Sequence, residues 1–145
     1  MAAIHSQLSA DCIVLGRFSL CHLLLTNDSN YPWFILVPDR EDIREIYQLD
    51  RADRKQLLDE SCRLSEFIMS AFEGEKLNVA ALGNQVPQLH LHHIVRYTTD
   101  PAWPTPVWGR FPARPYTDQA LGEIRSKFNS TGLDDYQPVV ESYLA

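Results

Sequence analysis

The chain has 145 residues and a mass of 16.6 kDa, which fits one compact domain and excludes two independent catalytic domains. Hydrophobic residues make up 45% and charged residues 22%, so disorder is excluded as the main state. The 13 basic and 19 acidic residues give a net charge of −6, and an acidic surface argues against a general nucleic-acid binder. We therefore predict a single domain over residues 1–145 without a nucleic-acid partner.

The sequence favours a soluble, cytoplasmic protein with no membrane partner. No stretch approaches the roughly 20 apolar residues of a membrane span, and residues 1–9 lack the basic start and apolar run of a signal peptide. The cysteines Cys12, Cys21 and Cys62 are odd in number and show no CxxC spacing, which fits neither a disulfide framework nor a zinc knuckle. We expect reduced cysteines in a reducing compartment.

Three strands are predicted in the N-terminal third of the chain. Short apolar runs over 12–15 and 20–25 flank Gly16-Arg17 and indicate a hairpin, and a third run over 33–37 is ended by Pro38. Asn27-Asp28-Ser29-Asn30 separates the second and third strands. This stretch is a turn, because Asn and Asp tolerate the left-handed region and bond their own backbone.

One long helix is predicted over 53–72, with Asp50 or Asp53 as its N-cap and Gly74 just after its end. Apolar and small residues recur at steps of three and four and form one stripe. The stripe consists of Leu57, Leu58, Ser61, Cys62, Ser65, Ile68, Met69 and Phe72. We expect this stripe to pack on a sheet.

The second half predicts strands over 77–82 and 89–97, then a loop and a helix. Five prolines between Pro101 and Pro115 exclude a helix or central strand, so 101–115 is predicted to be an ordered loop. A second helix is expected from Thr117 to about Phe128, and apolar residues in the tail suggest docking. The fold class is α+β: an antiparallel sheet of about five strands, one long helix packed on it and a second helix in the C-terminal part, 116–145.

The most informative stretch is Gln88-Leu89-His90-Leu91-His92-His93-Ile94. Side chains on a strand alternate between faces, so Gln88, His90 and His92 share one face, and His93 points to the other. Such a row fits a half-exposed polar sheet face, a two-histidine metal site, or a nucleophilic imidazole with polar neighbours. The residues alone leave these alternatives open.

This stretch resembles the signature of the histidine triad superfamily, His-φ-His-φ-His-φ-φ with φ apolar. Residues 83–87 run into the motif, and 100–108 follow it, in a layout similar to the bacterial branch related to diadenosine tetraphosphate hydrolases. Gln88 stands in place of the first histidine, and His93 occupies an apolar position. The resemblance implies a HIT-like fold and a nucleotide hydrolase or nucleotidyl transferase that acts at the α-phosphate through a covalent nucleotidyl-histidine.

The resemblance also implies roles for individual residues. His90, at the middle position, would be the nucleophile, with its Nδ1–H bonded to a backbone carbonyl so that Nε2 is free. His92 would donate to a phosphate oxygen, and Gln88 would hydrogen-bond a phosphate or the leaving group. Three residues outside the strand are implied in substrate binding: Asn84 at the phosphate, Asn27 at the ribose and Trp108 at the pocket mouth.

The implied partners are a nucleotide or dinucleoside polyphosphate substrate and a second copy of the chain, since the family usually forms a two-fold dimer. We expect neither a metal nor a cofactor, because imidazole and amide donors can stabilise phosphoryl charge. Two alternatives stay open. One is a nucleotide-binding module with little turnover, suggested by Gln88, and the other is a metal-dependent hydrolase that uses His90 and His92.

Overall fold

The computed structural model describes residues 2–130 and 133–139. Its helices are α1 (Ser6–Asp11), α2 (Arg51–Ala71) and α3 (Asp118–Asn129), with a 3-10 turn at Ile46–Gln48. The strands are β1 (Cys12–Arg17), β2 (Cys21–Thr26), β3 (Trp33–Pro38), β4 (Lys76–Ala81), β5 (Leu91–Arg96) and β6 (Gln137–Pro138). Within the described residues these six strands form one antiparallel sheet in the order β4-β5-β3-β2-β1-β6. The predicted α+β class is confirmed, while α1 and β6 were not predicted.

Asp50 is the N-cap of α2, and its carboxylate accepts a 2.8 Å hydrogen bond from the Asp53 amide. Asp50 is one of the two caps predicted from the sequence. Its buried residues are Leu57, Glu60, Ser61, Leu64 and Ile68. The predicted stripe is therefore wrong at Leu58, which is 65% exposed, and at Cys62, which is exposed. The buried face of the helix includes the carboxylate of Glu60, and a search for apolar residues does not assign a charged residue to that face.

Glu60 joins α2 to the start of β2. Its two carboxylate oxygens accept from the backbone amides of Leu20 and Cys21, each at 2.9 Å, and its side chain is fully buried. Buried backbone donors must be paired, and a carboxylate can accept two at once. This contact sets the rotation of α2 against the sheet.

Both faces of the sheet are covered. One face packs against α2 and α3 in a core that includes Leu23, Leu25, Phe34, Leu36, Leu64, Ile68 and Phe128. The opposite face carries a smaller apolar cluster, in which Leu8 of α1 meets Leu24, Ile35, Val37 and Val86. No helix in the described part of the chain is long and apolar enough to cross a membrane.

The turn at 27–30 fastens the far end of the proline-rich loop. The Ser29 amide donates to the Arg114 carbonyl at 2.6 Å, and the Arg114 amide donates to the Asp28 carboxylate at 3.2 Å. Residues 101–115 contain neither helix nor strand, as predicted. At the start of the loop, the Arg96 guanidinium lies 5.6 Å from the centre of the Trp103 ring. The loop is therefore anchored at both ends.

The C-terminal part docks on the sheet, as expected, over the residues that the structure describes. Strand β6 pairs with β1, and the Val139 amide donates to the Leu15 carbonyl at 3.0 Å. The Tyr136 ring packs 5.6 Å from the Phe128 ring. The remaining apolar tail residues Val140, Tyr143 and Leu144 lie outside the described residues.

His93 ties β5 to α2. It is fully buried on the α2 face, where its Nε2 lies 2.7 Å from the Ser61 hydroxyl and its Nδ1 lies 3.1 Å from the Leu91 carbonyl. A carbonyl only accepts, so Nδ1 carries the proton and Nε2 accepts from Ser61. Burial lowers the pKa of His93 to about 4. The prediction that His93 turns away from the face of His92 is confirmed.

We predict that acid destabilises the protein partly through His93. Its pKa is lower in the folded chain than in the unfolded chain, so between about pH 6.5 and pH 4 the unfolded state binds more protons, and the free energy of unfolding falls as the pH falls. The loss between pH 7 and pH 5 should be about 2 kcal/mol for this group. Urea titrations of the wild type and His93→Gln at both pH values measure it. An identical pH dependence in the two proteins would contradict this role.

Candidate active site

A cavity of about 500 Å³ opens on the α1 side of the sheet, a size typical of small-molecule sites. Its polar lining includes Gln7, Asp11, Thr26, Asn84, Gln85, His90 and His92, and its apolar lining includes Leu8, Cys12, Trp33, Ile35, Leu82, Val86 and Trp108. The structure thus brings together four of the six residues singled out from the sequence: His90, His92, Asn84 and Trp108.

His90 lies immediately before β5, and its ring is buried. The Nδ1 atom is 2.7 Å from the carbonyl oxygen of Gln88. Because a carbonyl only accepts, Nδ1 is the protonated nitrogen, and in the neutral ring Nε2 keeps its lone pair. The predicted contact of His90 Nδ1 with a backbone carbonyl is confirmed.

His92 has the opposite arrangement of donor and acceptor. It lies on β5 opposite Ile35 of β3, and its Nδ1 is 2.9 Å from the indole nitrogen of Trp33. An indole N–H only donates, so Nδ1 accepts and the neutral ring carries its proton on Nε2. Burial, with smaller contributions from His90 and His93, lowers the pKa of His92 to about 3. His92 is therefore a neutral N–H donor at physiological pH.

The two rings are neighbours with complementary chemistry. Their centroids are 4.9 Å apart, and both line the same cavity. A metal-binding histidine normally donates its second ring N–H to an acceptor, which leaves the other nitrogen free for the ion. In His92 the second nitrogen is itself an acceptor, so its Nε2 has no free lone pair. The pair is better suited to a phosphate group than to a shared metal ion: the His90 lone pair can attack an electrophilic phosphorus, and the His92 N–H can donate to a phosphate oxygen.

Trp33 was not identified from the sequence as a site residue. Its ring centroid is 5.7 Å from that of His92 and 5.6 Å from that of Trp108, and the Trp108 ring is 5.1 Å from His92. Trp33 pairs with Ile94, so it reaches His92 diagonally across the two strands. This contact depends on the pairing of β3 with β5, which could not be predicted from the sequence.

Cys12 is a second lining residue that sequence reasoning did not place at the site. Burial raises the pKa of its thiol to about 11. Since the thiolate is the nucleophilic form, Cys12 stays protonated at neutral pH and does not compete with an imidazole. Its side chain contributes apolar surface to the cavity.

A known protein family matches more than half of this chain. The HIT domain model matches residues 7–99. This chain belongs to the HIT domain family. Proteins of this family are nucleotide-binding hydrolases or transferases.

Solved structures of histidine triad proteins resemble the chain over most of its length. The protein from Marinobacter aquaeolei VT8 is 53% identical with a TM-score of 0.87, covering 90% of this chain and 95% of that one. The protein from Bradyrhizobium japonicum is 41% identical with a TM-score of 0.87, covering 88% and 96%. The protein from Sinorhizobium meliloti is 38% identical with a TM-score of 0.86, covering 88% and 95%. A comparison with curated proteins found no match.

Gln88 is placed differently from the expectation for this HIT domain. It lies three residues before β5 and does not line the main cavity; its side-chain amide is hydrogen-bonded to the backbone of Ala3 and His5. Gln88 lines a separate, smaller hollow of about 170 Å³ together with His90 and Asn84. Strand parity fails here because the extended strand begins at Leu91.

Asn27 also lies outside the cavity lining. Its side-chain oxygen accepts a 2.9 Å hydrogen bond from the Tyr116 amide, next to the contacts that fasten the proline-rich loop. The neighbouring residue Thr26 lines the cavity instead. Asn27 therefore makes a structural contact with the segment that follows the proline-rich loop.

We predict that Trp33→Phe in this HIT domain allows His92 to adopt both neutral tautomers. Phenylalanine keeps the aromatic packing but removes the N–H, so the proton of His92 is free to move to Nδ1 and Nε2 no longer donates reliably. Nitrogen-15 NMR of the ring should show His92 protonated on Nε2 in the wild type and a mixture in the variant. Turnover of a nucleotide substrate should fall about tenfold, the scale of one hydrogen bond.

Trp108→Phe is the matched control, because Trp108 touches the same ring without bonding its Nδ1. It should leave the His92 tautomer unchanged. A wild-type spectrum with His92 protonated on Nδ1 would refute the assignment.

Proposed function

We propose that this HIT protein is a nucleotide hydrolase or nucleotidyl transferase that acts at the α-phosphate through a covalent intermediate on His90. The observation that carries the proposal is the pair of opposite tautomers. The Gln88 carbonyl holds the proton of His90 on Nδ1, and the Trp33 indole holds that of His92 on Nε2. One buried ring therefore offers a lone pair and its neighbour offers an N–H.

The first step forms a P–N bond between His90 Nε2 and the α-phosphorus while the bond to the leaving group breaks. The leaving group departs with that electron pair, and a phosphate-type group needs little protonation. In the second step a water oxygen attacks phosphorus, the P–N electron pair returns to Nε2, and the water gives up a proton to solvent. Splitting the transfer in this way replaces one difficult step with two easier ones.

The other cavity residues support binding and charge stabilisation. His92 Nε2–H donates to a non-bridging phosphate oxygen as negative charge develops there. The His92 ring acts as a neutral donor, because burial keeps its pKa low. Asn84 lies at the edge of the cavity beside His90, where its amide reaches the same phosphate. Trp108 supplies an aromatic wall. We propose a nucleotide or dinucleoside polyphosphate as the substrate.

We also propose that the protein forms a homodimer. Strand β4 pairs with β5 on one side and is an edge strand on the other. On this strand Val79 is 48% exposed, and just after it Leu82 is 42% exposed, which leaves apolar surface along an edge of the sheet in the described part of the chain. A second copy of the chain would cover both.

We predict that His90→Ala lowers kcat/KM by more than about a thousandfold, because the variant has no nucleophile. The substrates are a dinucleoside polyphosphate and a nucleoside phosphoramidate, labelled at the α-phosphate. Alkaline quenching during turnover, followed by mass spectrometry of the tryptic peptide that spans residue 90, should detect the nucleotidyl adduct in the wild type and not in His90→Ala.

His22→Gln is the control, since His22 lies on β2 outside the cavity lining. It should keep both activity and adduct. Binding of nucleotide without product release by the wild type would favour a binding module. Full activity of His90→Ala would reject the covalent mechanism.

A further inference from the structure

Both polar atoms of the Gln88 side chain hold the N-terminal segment, residues 2–5. Its Oε1 accepts from the His5 amide at 2.8 Å, and its Nε2 donates to the Ala3 carbonyl at 2.9 Å. Gln88, Ala3 and His5 together line a separate hollow of about 320 Å³ beside the main cavity. The N-terminal segment therefore engages one donor and one acceptor of the Gln88 amide group.

The N-terminal segment leads directly into α1, which forms one wall of the main cavity. His5 is the N-cap of α1, and its Nδ1 accepts from the Gln7 amide at 3.0 Å. Residues Gln7, Leu8 and Asp11 of α1 all line the cavity. A six-residue helix is too short to be stable alone, so its position depends on contacts with the rest of the chain.

At its C-terminal end this wall continues directly into β1, and the Asn27 amide donates to the Asp11 carbonyl at 3.0 Å. Leu8 is buried against the sheet, and the Ala2 amide donates to Asp39 at 2.7 Å. The two bonds of Gln88 lie between these points and immediately before the first turn of α1. Gln88 thus connects the start of the histidine motif to the opposite wall of the same cavity.

We propose that Gln88 is a positioning residue that holds α1 as a wall of the nucleotide cavity, so that the first motif position controls substrate binding rather than the chemical step. The inference rests on the proposed function of this cavity. It differs from a leaving-group role because the effect of Gln88 passes through His5 and Ala3. Loss of the two hydrogen bonds should therefore raise KM and leave kcat almost unchanged.

The test compares Gln88→Met, which keeps the length of the side chain without its amide, with two changes at His5. His5→Pro removes the N–H that Gln88 accepts, and the φ of −52° at His5 is compatible with proline. His5→Ala keeps this N–H and removes only the side-chain cap, so it is the matched control.

Gln88→Met should raise KM, and the dissociation constant for adenosine monophosphate, about tenfold, with kcat within about threefold. His5→Pro should act in the same direction and more strongly than His5→Ala. The double variant Gln88→Met/His5→Pro should be no worse than Gln88→Met/His5→Ala within about twofold, because both lack the side-chain cap and the bond to the His5 amide is already absent. A fall in kcat at unchanged KM, or fully multiplicative effects, would overturn the proposal.

Hydrogen exchange separates this inference from the proposed function because it needs no turnover. In Gln88→Met the amides of α1 should exchange faster while those of β2 and β3 do not change. Unchanged exchange in α1 would overturn the positioning role even in an active enzyme. If the wild type is inactive and the α1 amides still exchange faster in Gln88→Met, the proposed function is rejected and the positioning role of Gln88 is supported.

Discussion

Three imidazole rings within four residues each have Nδ1 engaged in a hydrogen bond, and these bonds determine what the rings can do. The Gln88 carbonyl makes Nδ1 of His90 a donor, and the Trp33 indole makes Nδ1 of His92 an acceptor. In His93 the Leu91 carbonyl again makes Nδ1 a donor, and Nε2 accepts from Ser61. Three identical side chains thus become a lone-pair donor, an N–H donor and a structural contact, because each has a different neighbour.

The pairing and alternation of the strands determine which residues lie next to each imidazole ring. Pairing of β3 with β5 brings Trp33 beside His92, and the alternation of β5 sends His93 to the α2 face. The rotation of α2 that presents Ser61 depends in turn on Glu60, which is bonded to the start of β2. The polar contacts on the two faces of the sheet therefore share one strand, β5, which carries both His92 and His93.

The cavity is completed by a part of the chain that lies far from the motif in sequence. Helix α1 contributes Gln7, Leu8 and Asp11, and it is held by Gln88 at the first motif position. The Gln88 amide donates to the Ala3 carbonyl and accepts from the His5 amide, and so it links the histidine motif to the segment that leads into α1.

The sequence by itself determined the α+β class, the long helix with Asp50 as one of two candidate caps, the proline-rich loop and the opposite faces of His92 and His93. These features follow from local rules: residue periodicity, capping and the conformational restriction of proline. The HIT resemblance of residues 88–94 also identified His90 and His92. The roles of Trp33, Glu60 and α1 were decided only by the tertiary structure. Each depends on which strands are neighbours or on a contact between residues distant in the chain, and local periodicity contains no information on either.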